Sequence, residues 1–245
     1  MATTELEGRV AIVTGADGGL GRTVCKAFKA AGAQVVGVDL QGEDCLHLDV
    51  GTAEGNRRMM AEAVDRHGRL DILVLNAGAQ QMAPIVDYDE AEWDRLMNVM
   101  AKGPFLAMKF AWPALTARPG GRVIVTASTL GLVGAAYKCA YVAAKHAAVG
   151  LVQVAALEGA AAGLTANAVA PGWMRTPLVE NQLADQMRLK NLSREQVLQQ
   201  MLGSQPGGRF VETSEVANLM VFLASERSSG ITGTCLPVDL GELTV

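Results

Sequence analysis

The sequence predicts an α/β protein in which helices cover both faces of a doubly wound parallel sheet. Two observations predict this class. Short, mostly apolar runs alternate along the chain with longer helical patterns, as expected for strands that are buried on both faces. Hydrophobic residues make up 50% of the 245 residues and charged residues 19%, so the chain can bury a large core. No linker, repeat or low-complexity segment divides the sequence, and we expect one domain over residues 1–245.

The apolar runs give the expected strands, which lie at residues 10–13, 34–38, 71–75, 122–126, 165–169 and 234–238. Helical patterns occupy residues 21–31, 55–68, 89–115, 136–162 and 212–224. Pro104 and Pro113 must lie at a break in the third helix or near its end. Residues 178–208 are polar, rich in Gln and Met, and helical in pattern. Insertions of this kind after a strand often cover a ligand crevice, so we expect a helical lid over the substrate.

Composition argues against several classes of partner. Lys and Arg number 21 against 25 Asp and Glu, and this net charge of −4 makes nucleic acid an unexpected partner. The longest charge-free stretch, residues 159–174, is interrupted by Asn167, Pro171 and glycines, so no membrane-spanning helix is expected there. Residues 1–8 contain two glutamates and no apolar segment, so we expect a cytoplasmic protein without a signal peptide. The four cysteines show no CxxC spacing, which favours reduced thiols over a disulfide or a metal site.

A glycine-rich turn follows the first strand and precedes a helix. Its spacing, Gly15-xxx-Gly19-x-Gly21, allows the backbone to approach a pyrophosphate at the helix start. A simple glycine-rich turn is the alternative, and the strand–turn–helix context argues for the nucleotide. Asp39 ends the second strand, where a carboxylate accepts hydrogen bonds from an adenosine ribose and repels a 2′-phosphate. Asp17 adds a second acid, so the sequence favours NAD over NADP, although Asp39 could also be an ordinary loop carboxylate.

Tyr141 and Lys145 lie four residues apart, on one face of a predicted helix. A tyrosine has a pKa of about 10, which is too high for a base at neutral pH, and a nearby cation lowers it. The pair could therefore exchange a proton with an alcohol or a ketone. An incidental surface pair is the alternative. Ser128 follows the fourth strand, and Asn98 lies inside a helix, where Asn is a poor helix former; each could equally be an ordinary polar residue.

Together these residues resemble the short-chain dehydrogenase/reductase family over nearly the whole chain. The matching motifs are Thr14-Gly15-xxx-Gly19-x-Gly21, Asn76-Ala77-Gly78, Asn98, Ser128, Tyr141-xxx-Lys145 and Pro171-Gly172-xxx-Thr176. The resemblance implies a Rossmann-type sheet of about seven strands. It also implies a homotetramer, assembled through the helices near residues 90–115 and 138–160. Leu75 departs mildly from the family, which often has a second Asn there.

The resemblance also implies a role for each matching residue. Tyr141 would be the acid/base, Lys145 would lower its pKa and bind the nicotinamide ribose, and Ser128 would hold the substrate oxygen. Asn98 would hold a water that links Lys145 to solvent. The other implied cofactor contacts are Gly15, Asp17, Gly19, Leu20, Gly21, Asp39, Asp49, Val50, Asn76, Ala77, Gly78, Pro171, Gly172, Met174 and Thr176.

The second half of the chain is most similar to one branch of the family, the D-3-hydroxybutyrate dehydrogenases. In that branch a Gln, a Lys, a second Gln and a His hold a short carboxylate, and a Trp lies over the substrate. The matching substrate residues here are Gln80, Lys138, Gln182 and Trp173, with Leu130 at the His position. The tail over residues 239–243 lacks the usual Gly-Gly and aromatic. Lys138 could instead be a solvated point charge, and the other three could be loop or packing residues.

We therefore expect an NAD-dependent dehydrogenase of a secondary alcohol, with a 3-hydroxy acid such as 3-hydroxybutyrate as one candidate. A bulkier, hydrophobic alcohol is the alternative, because Leu130 replaces a polar anchor with apolar surface. A nucleotide-sensing protein without catalysis is a third hypothesis. Such proteins tend to lose the Tyr or the Lys, and this chain has both. Met187 and Met201 lie in the expected lid, where core filling is a better interpretation than substrate contact.

Overall fold

The structure, a computed structural model, describes residues 4–244 and contains a parallel sheet. Its strands are β1 (Val10–Thr14), β2 (Gln34–Asp39), β3 (Cys45–His47), β4 (Ile72–Leu75), β5 (Arg122–Thr126), β6 (Thr165–Pro171) and β7 (Cys235–Val238). They pair in the order β3-β2-β1-β4-β5-β6-β7, and every neighbouring pair is parallel. The strand order reverses direction between β1 and β4, which opens a crevice at their carboxyl ends. The predicted Rossmann-type sheet of about seven strands is confirmed.

Nine α-helices lie within the described residues 4–244. They are α1 (Gly19–Ala30), α2 (Ala53–His67), α3 (Glu90–Met97), α4 (Gly103–Leu115), α5 (Cys139–Gly159), α6 (Pro177–Asn181), α7 (Leu183–Lys190), α8 (Arg194–Gly203) and α9 (Thr213–Ala224). The last helices before α9 form the expected lid, because α6, α7 and α8 together occupy the polar insertion after β6.

Side chains along each strand alternate between two helical layers. Val10 and Ile12 of β1 belong to a buried cluster that includes residues of α2, α4 and α5. Ala11 and Val13 belong to the opposite cluster, which includes residues of α1 and α9. Successive side chains of a strand point to opposite faces, so a sheet covered on both faces requires an apolar residue at every position. This requirement explains why the central strands read as continuous apolar runs.

Two predicted helices differ from the structure, and one strand was not predicted. The helix expected at 89–115 is divided by a π-helical segment, Asn98–Lys102, and Pro104 lies in the first turn of α4, where a missing N–H costs little. The helix expected at 136–162 begins only at Cys139, because Tyr137 has a left-handed φ of 68°. Strand β3 was not predicted, because it is a three-residue edge strand with one strongly apolar side chain.

One helix has the length and composition of a membrane span. It covers Cys139–Ala162 and has a mean hydropathy of 1.4. It overlaps the charge-free stretch of residues 159–174 only at its last residues. Core helices share this composition. In α5 the side chains of Ala148 and Val152 are buried with the sheet residues, and Ala144 is buried with residues of the neighbouring helices. Because Lys145 is also buried on this helix, α5 places a potential reactive group at the centre of the fold.

Candidate active site

A cavity of about 660 Å³ opens at the carboxyl ends of the central strands, where the strand order reverses. Its wall includes nearly all of the predicted site residues, and Asn98 is the exception. The predicted residues that line it are Gly15, Asp17, Gly19, Leu20, Gly21, Asp39, Asp49, Val50, Asn76, Ala77, Gly78, Gln80, Ser128, Leu130, Lys138, Tyr141, Lys145, Pro171, Gly172, Trp173, Met174, Thr176 and Gln182. Parallel strands bring their carboxyl ends to one edge of a sheet, which gathers residues so distant in sequence.

The glycine turn between β1 and α1 is shaped by close backbone contacts. Gly15 has a φ of +65°, and a Cβ on Gly15 would lie 2.8 Å from the Cα of Ala77. A Cβ on Gly21 would lie only 1.9 Å from the carbonyl oxygen of Gly15. Helix α1 has no side-chain cap, so its first N–H groups are free to meet an anion. The turn therefore fits a pyrophosphate, as its spacing predicts.

Asp39 is held at the end of β2 by backbone donors. The N–H of Asp17 donates to one carboxylate oxygen at 2.9 Å, and the N–H of Leu40 donates to the other at 2.7 Å. The remaining lone pairs of both oxygens can accept from a ribose diol. Arg22 is a cation in the cavity wall that sequence reasoning missed, and it forms a salt bridge of 2.8 Å with Asp17. That acid offsets the positive charge of Arg22 beside Asp39.

A hydrogen-bond network joins the ends of β1, β4 and β5. The hydroxyl of Thr14 accepts from the N–H groups of Asn76 (2.9 Å) and Ala77 (3.1 Å). The amide of Asn76 donates to the carbonyls of Thr14 and Gly15, and the hydroxyl of Thr126 donates to its Oδ1 at 3.1 Å. The network ties the carboxyl ends of these three strands together, and Asn76 and Ala77 of the motif Asn76-Ala77-Gly78 take part in it.

The predicted reactive side chains meet at the centre of the cavity. Lys145 Nζ donates to the carbonyl of Thr126 at 2.6 Å and lies 5.5 Å from the centroid of the Tyr141 ring. Burial lowers the pKa of Lys145 to about 8. Burial also raises the pKa of Tyr141, while the nearby Ser128 hydroxyl lowers it. Burial is the larger of these two influences, because desolvation penalises the charged phenolate.

Asn98 lies behind the cavity wall. It is the first residue of the π-helical segment between α3 and α4, and its carbonyl accepts from the N–H of Gly103. Asn98 thus lies inside a continuous helical stretch, as expected, at the start of its π-helical part. Single-turn π-helical segments are uncommon and often occur near functional sites, because they re-aim carbonyl groups.

The substrate end of the cavity is the part formed by Gln80, Leu130, Lys138, Trp173 and Gln182. Lys138 is only 5% exposed; its Nζ donates to Gln182 Oε1 at 2.8 Å and lies 4.6 Å from the centroid of the Trp173 ring. Burial lowers the pKa of Lys138 to about 8. Both polar atoms of the Gln80 side chain are buried without a partner. The alternative of a solvated Lys138 is thus wrong, and this end offers unused donors to an anion.

The lid covers the substrate end through its own small core. Val179 and Leu183 pack with Val197 and Met201, and Trp173 and Met187 lie against them. The interpretation of the two lid methionines as core filler agrees with this packing. Besides Arg22, two groups in the cavity wall are not predicted by the sequence. The carbonyl of Thr126 carries no side-chain signal, and Glu242 lies in the unusual tail, which matches no motif.

Comparisons with known proteins agree with this arrangement. A family model described as enoyl-(acyl carrier protein) reductase matches residues 15–242. An uncharacterized oxidoreductase of Bacillus subtilis, YxjF, is 40% identical over 95% of this chain and 97% of its own length. D-beta-hydroxybutyrate dehydrogenase of Rhizobium meliloti is 36% identical over 95% of this chain and 98% of its own. The crystal structure of levodione reductase aligns with a TM-score of 0.92 at 28% identity, covering 98% of this chain and 99% of that one.

Proposed function

We propose an activity for this chain as a member of the short-chain dehydrogenase/reductase family, to which it belongs. This is an oxidoreductase family that typically uses a nicotinamide cofactor. The activity is reversible oxidation of a secondary alcohol to a ketone with NAD, on a small substrate that carries a carboxylate, as 3-hydroxybutyrate does. One observation carries the substrate class. Lys138 is a buried cation, the side-chain amide of Gln80 has no hydrogen-bond partner, and both residues line the cavity that contains Ser128 and Tyr141.

The residues of the cavity fit a dinucleotide. The uncapped start of α1 and the glycines that leave no room for a Cβ would hold the pyrophosphate, and Asp39 would bind the adenosine ribose. Asp49 and Val50 would contact the adenine, and Pro171, Met174 and Thr176 would contact the nicotinamide end. When bound, the nicotinamide supplies the hydride acceptor for oxidation and the donor for reduction.

NAD is favoured over NADP by the charges near the ribose. The carboxylates of Asp39 and Asp17 would repel a 2′-phosphate. Arg22 is the nearby cation, and its guanidinium is already paired with Asp17. A 2′-phosphate would therefore have to compete with an existing salt bridge and approach a second acid.

The central residues would move the proton. In the reduction direction, Tyr141 donates its hydroxyl proton to the carbonyl oxygen of the ketone, and Ser128 donates a hydrogen bond to the same oxygen. In the oxidation direction, the phenolate of Tyr141 takes the proton of the alcohol. The ammonium of Lys145 stabilises that phenolate, and the carbonyl of Thr126 holds the ammonium in place. Asn98 would hold a water that connects Lys145 to solvent.

Replacing Tyr141 with Phe tests the chemistry. The Y141F variant should lose about 10²- to 10⁴-fold in kcat, the usual contribution of a positioned acid/base, while it still binds NADH in a fluorescence titration. Tyr88→Phe is a matched control, since Tyr88 is a phenol outside the cavity wall whose hydroxyl donates to the carbonyl of Gln81. Unchanged turnover of Y141F with 3-hydroxybutyrate or any other oxidised alcohol would reject the role.

A bulkier hydrophobic alcohol is the second candidate, and Leu130 favours it. Leu130 places an apolar side chain in the cavity wall, two residues after Ser128. A substrate panel followed by NADH absorbance separates the two candidates, and Leu130→His should raise kcat/KM for 3-hydroxybutyrate relative to larger alcohols. A strong preference of the unmodified enzyme for hydroxybutyrate eliminates the bulkier class. NADH formation with any alcohol also excludes a sensing protein without catalysis.

We also propose that the chain acts as a single-domain subunit of a homotetramer. Apolar side chains stand exposed on two helices of one layer, with Phe105 of α4 at 48% and Val154 and Leu157 of α5 at 52% and 80% exposed. Burying them against a second copy would remove apolar surface from water. Light scattering of the purified protein tests the assembly, and Leu157→Glu should shift it toward smaller species.

A further inference from the structure

Two buried oxygen atoms without hydrogen-bond donors face the same point beneath the substrate end. The first is Oε1 of Gln205, a residue that is 1% exposed. Its amide cannot turn over, because its Nε2 donates to the carbonyls of Arg209 (2.9 Å) and Trp173 (3.4 Å). The oxygen therefore stays where it is and requires a donor.

The second oxygen is Oε2 of Glu242, in the tail that follows β7. A Cβ on Gly172 would lie 2.8 Å from this atom and 2.7 Å from Gln205 Oε1, so the two oxygens converge on one place. Both are acceptors if Glu242 is ionised, and each is then left unsatisfied in a buried site. A protonated Glu242 would supply one O–H on the side that Gln205 Oε1 also faces, which is the donor that this buried place lacks.

The groups around Glu242 act in both directions on its charge. Burial is the largest influence and raises its pKa, and Asp239 on the same tail acts the same way. The hydroxyls of Thr129 and Ser204 lower its pKa, and so does the ammonium of Lys138. Lys138 nevertheless donates to Gln182 instead of to this carboxyl. The net direction agrees with the protonated form that the two oxygens require.

We propose that Glu242 is a neutral carboxylic acid that donates to Gln205 Oε1, so that the charge of Lys138 faces an anionic substrate without an opposing carboxylate. This inference rests on the proposed function, because it assumes an acid as substrate. It identifies Glu242 as a residue that determines specificity: its proton sets the charge of the substrate end. Ionisation of Glu242 would weaken binding of an anion and spare a neutral alcohol.

Thermal unfolding measures this proton without any substrate. Glu242→Gln places an amide N–H where the carboxyl proton would be, and the amide stays neutral at every pH. A carboxyl whose pKa is raised in the folded state contributes stability below its unfolded pKa and loses it as pH rises through the folded value. The Tm of the unmodified protein should therefore fall relative to the Tm of E242Q as pH rises above about 4.3, the ordinary pKa of a glutamate. Glu195→Gln, on the exposed face of α8, should show a constant difference.

Infrared spectroscopy gives a second measurement on the unmodified protein. A protonated carboxyl has a C=O stretch that separates from ionised carboxylates, and this band should be present near neutral pH, vanish in E242Q and persist in E195Q. A Tm difference between the unmodified protein and E242Q that grows with pH supports the proposal. A constant Tm difference also supports it if the C=O band of the protonated carboxyl is present. A constant difference without the band overturns it.

Kinetics then connect the proton to specificity. With 3-hydroxybutyrate, KM of the unmodified enzyme should rise with pH more steeply than KM of E242Q, while kcat changes alike in both. If 3-hydroxybutyrate is not turned over but the unfolding and infrared results hold, the proposed substrate fails and the protonated Glu242 stands. If KM rises alike in both proteins, the link to specificity is wrong even where the proposed function is right.

Discussion

Replacing Lys138 with Met provides the sharpest test of the carboxylate site. Met has a similar length and no charge, and Lys138 is 5% exposed, so the change removes a buried ammonium from the cavity wall. Truncating one partner of a buried charge pair costs about 2–5 kcal/mol. Since about 1.4 kcal/mol corresponds to a factor of ten, kcat/KM for an acid substrate should fall by about 30-fold to several thousand-fold.

The assay compares 3-hydroxybutyrate with sec-butanol, a neutral alcohol of similar chain length, through NADH absorbance. The loss should appear mainly in KM for the acid, because the carboxylate is an anchor remote from the reacting carbon. The value for the neutral alcohol should change by less than about threefold. Lys190→Met is the matched control, since Lys190 is a lid lysine that donates to Gln186 and does not line the cavity.

The fold should tolerate K138M, because replacing a buried charge with an apolar side chain is often neutral or stabilising. A Tm within a few degrees of the original would show that the kinetic loss is not a folding defect. Equal losses for the acid and the neutral alcohol would refute the reasoning. They would mean that Lys138 supports the structure of the cavity instead of recognising an anion.

Three further results are expected. The ratio of kcat/KM for the acid to that for the neutral alcohol should fall above about pH 8, because Lys138, whose pKa burial lowers to about 8, then loses the proton that binds the carboxylate. Asp39→Ala should reduce NAD affinity and improve NADP affinity in a fluorescence titration, and tighter NADP binding by the unmodified protein would contradict this account of Asp39. Gly21→Ala should weaken NADH binding at least about tenfold and lower Tm, because its Cβ would lie 1.9 Å from the carbonyl of Gly15; Gly230→Ala, with open space around it, should change neither.

The sequence predicts the fold well where a strand is buried on both faces. Residues 10–13 are apolar at every position because two helical layers cover them, so this strand is visible without a structure. Strand β3 has no such requirement, because an edge strand needs few apolar side chains and Cys45–His47 gives no periodic signal. The boundary at Cys139 depends on a left-handed φ at Tyr137, a conformation that the residue type does not indicate.

The candidate site, like the fold, was predictable from the sequence only in part. The glycines and the Tyr141–Lys145 pair were recognisable because residue type and spacing carry their roles. The burial of Lys138 was not, since a lysine near a helix start is usually solvated, and only the packing of Trp173 and Gln182 shows otherwise. The carbonyl of Thr126 could not be found from any side chain, although it holds the ammonium of Lys145.

The charges of the cavity form a pattern that would order the two proposed ligands. The acid Asp39 lies where the ribose is proposed to bind and would repel a phosphate, whereas the buried amines of Lys138 and Lys145 favour negative charge where the substrate is proposed to bind. A phenolate at Tyr141 and a carboxylate at Lys138 would each form beside one of these amines. Burial lowers the pKa of both Lys138 and Lys145. An anion beside either ammonium acts in the opposite direction and raises its pKa. Substrate binding should therefore raise the pKa of Lys138, and protonation and anion affinity are then two measures of one interaction.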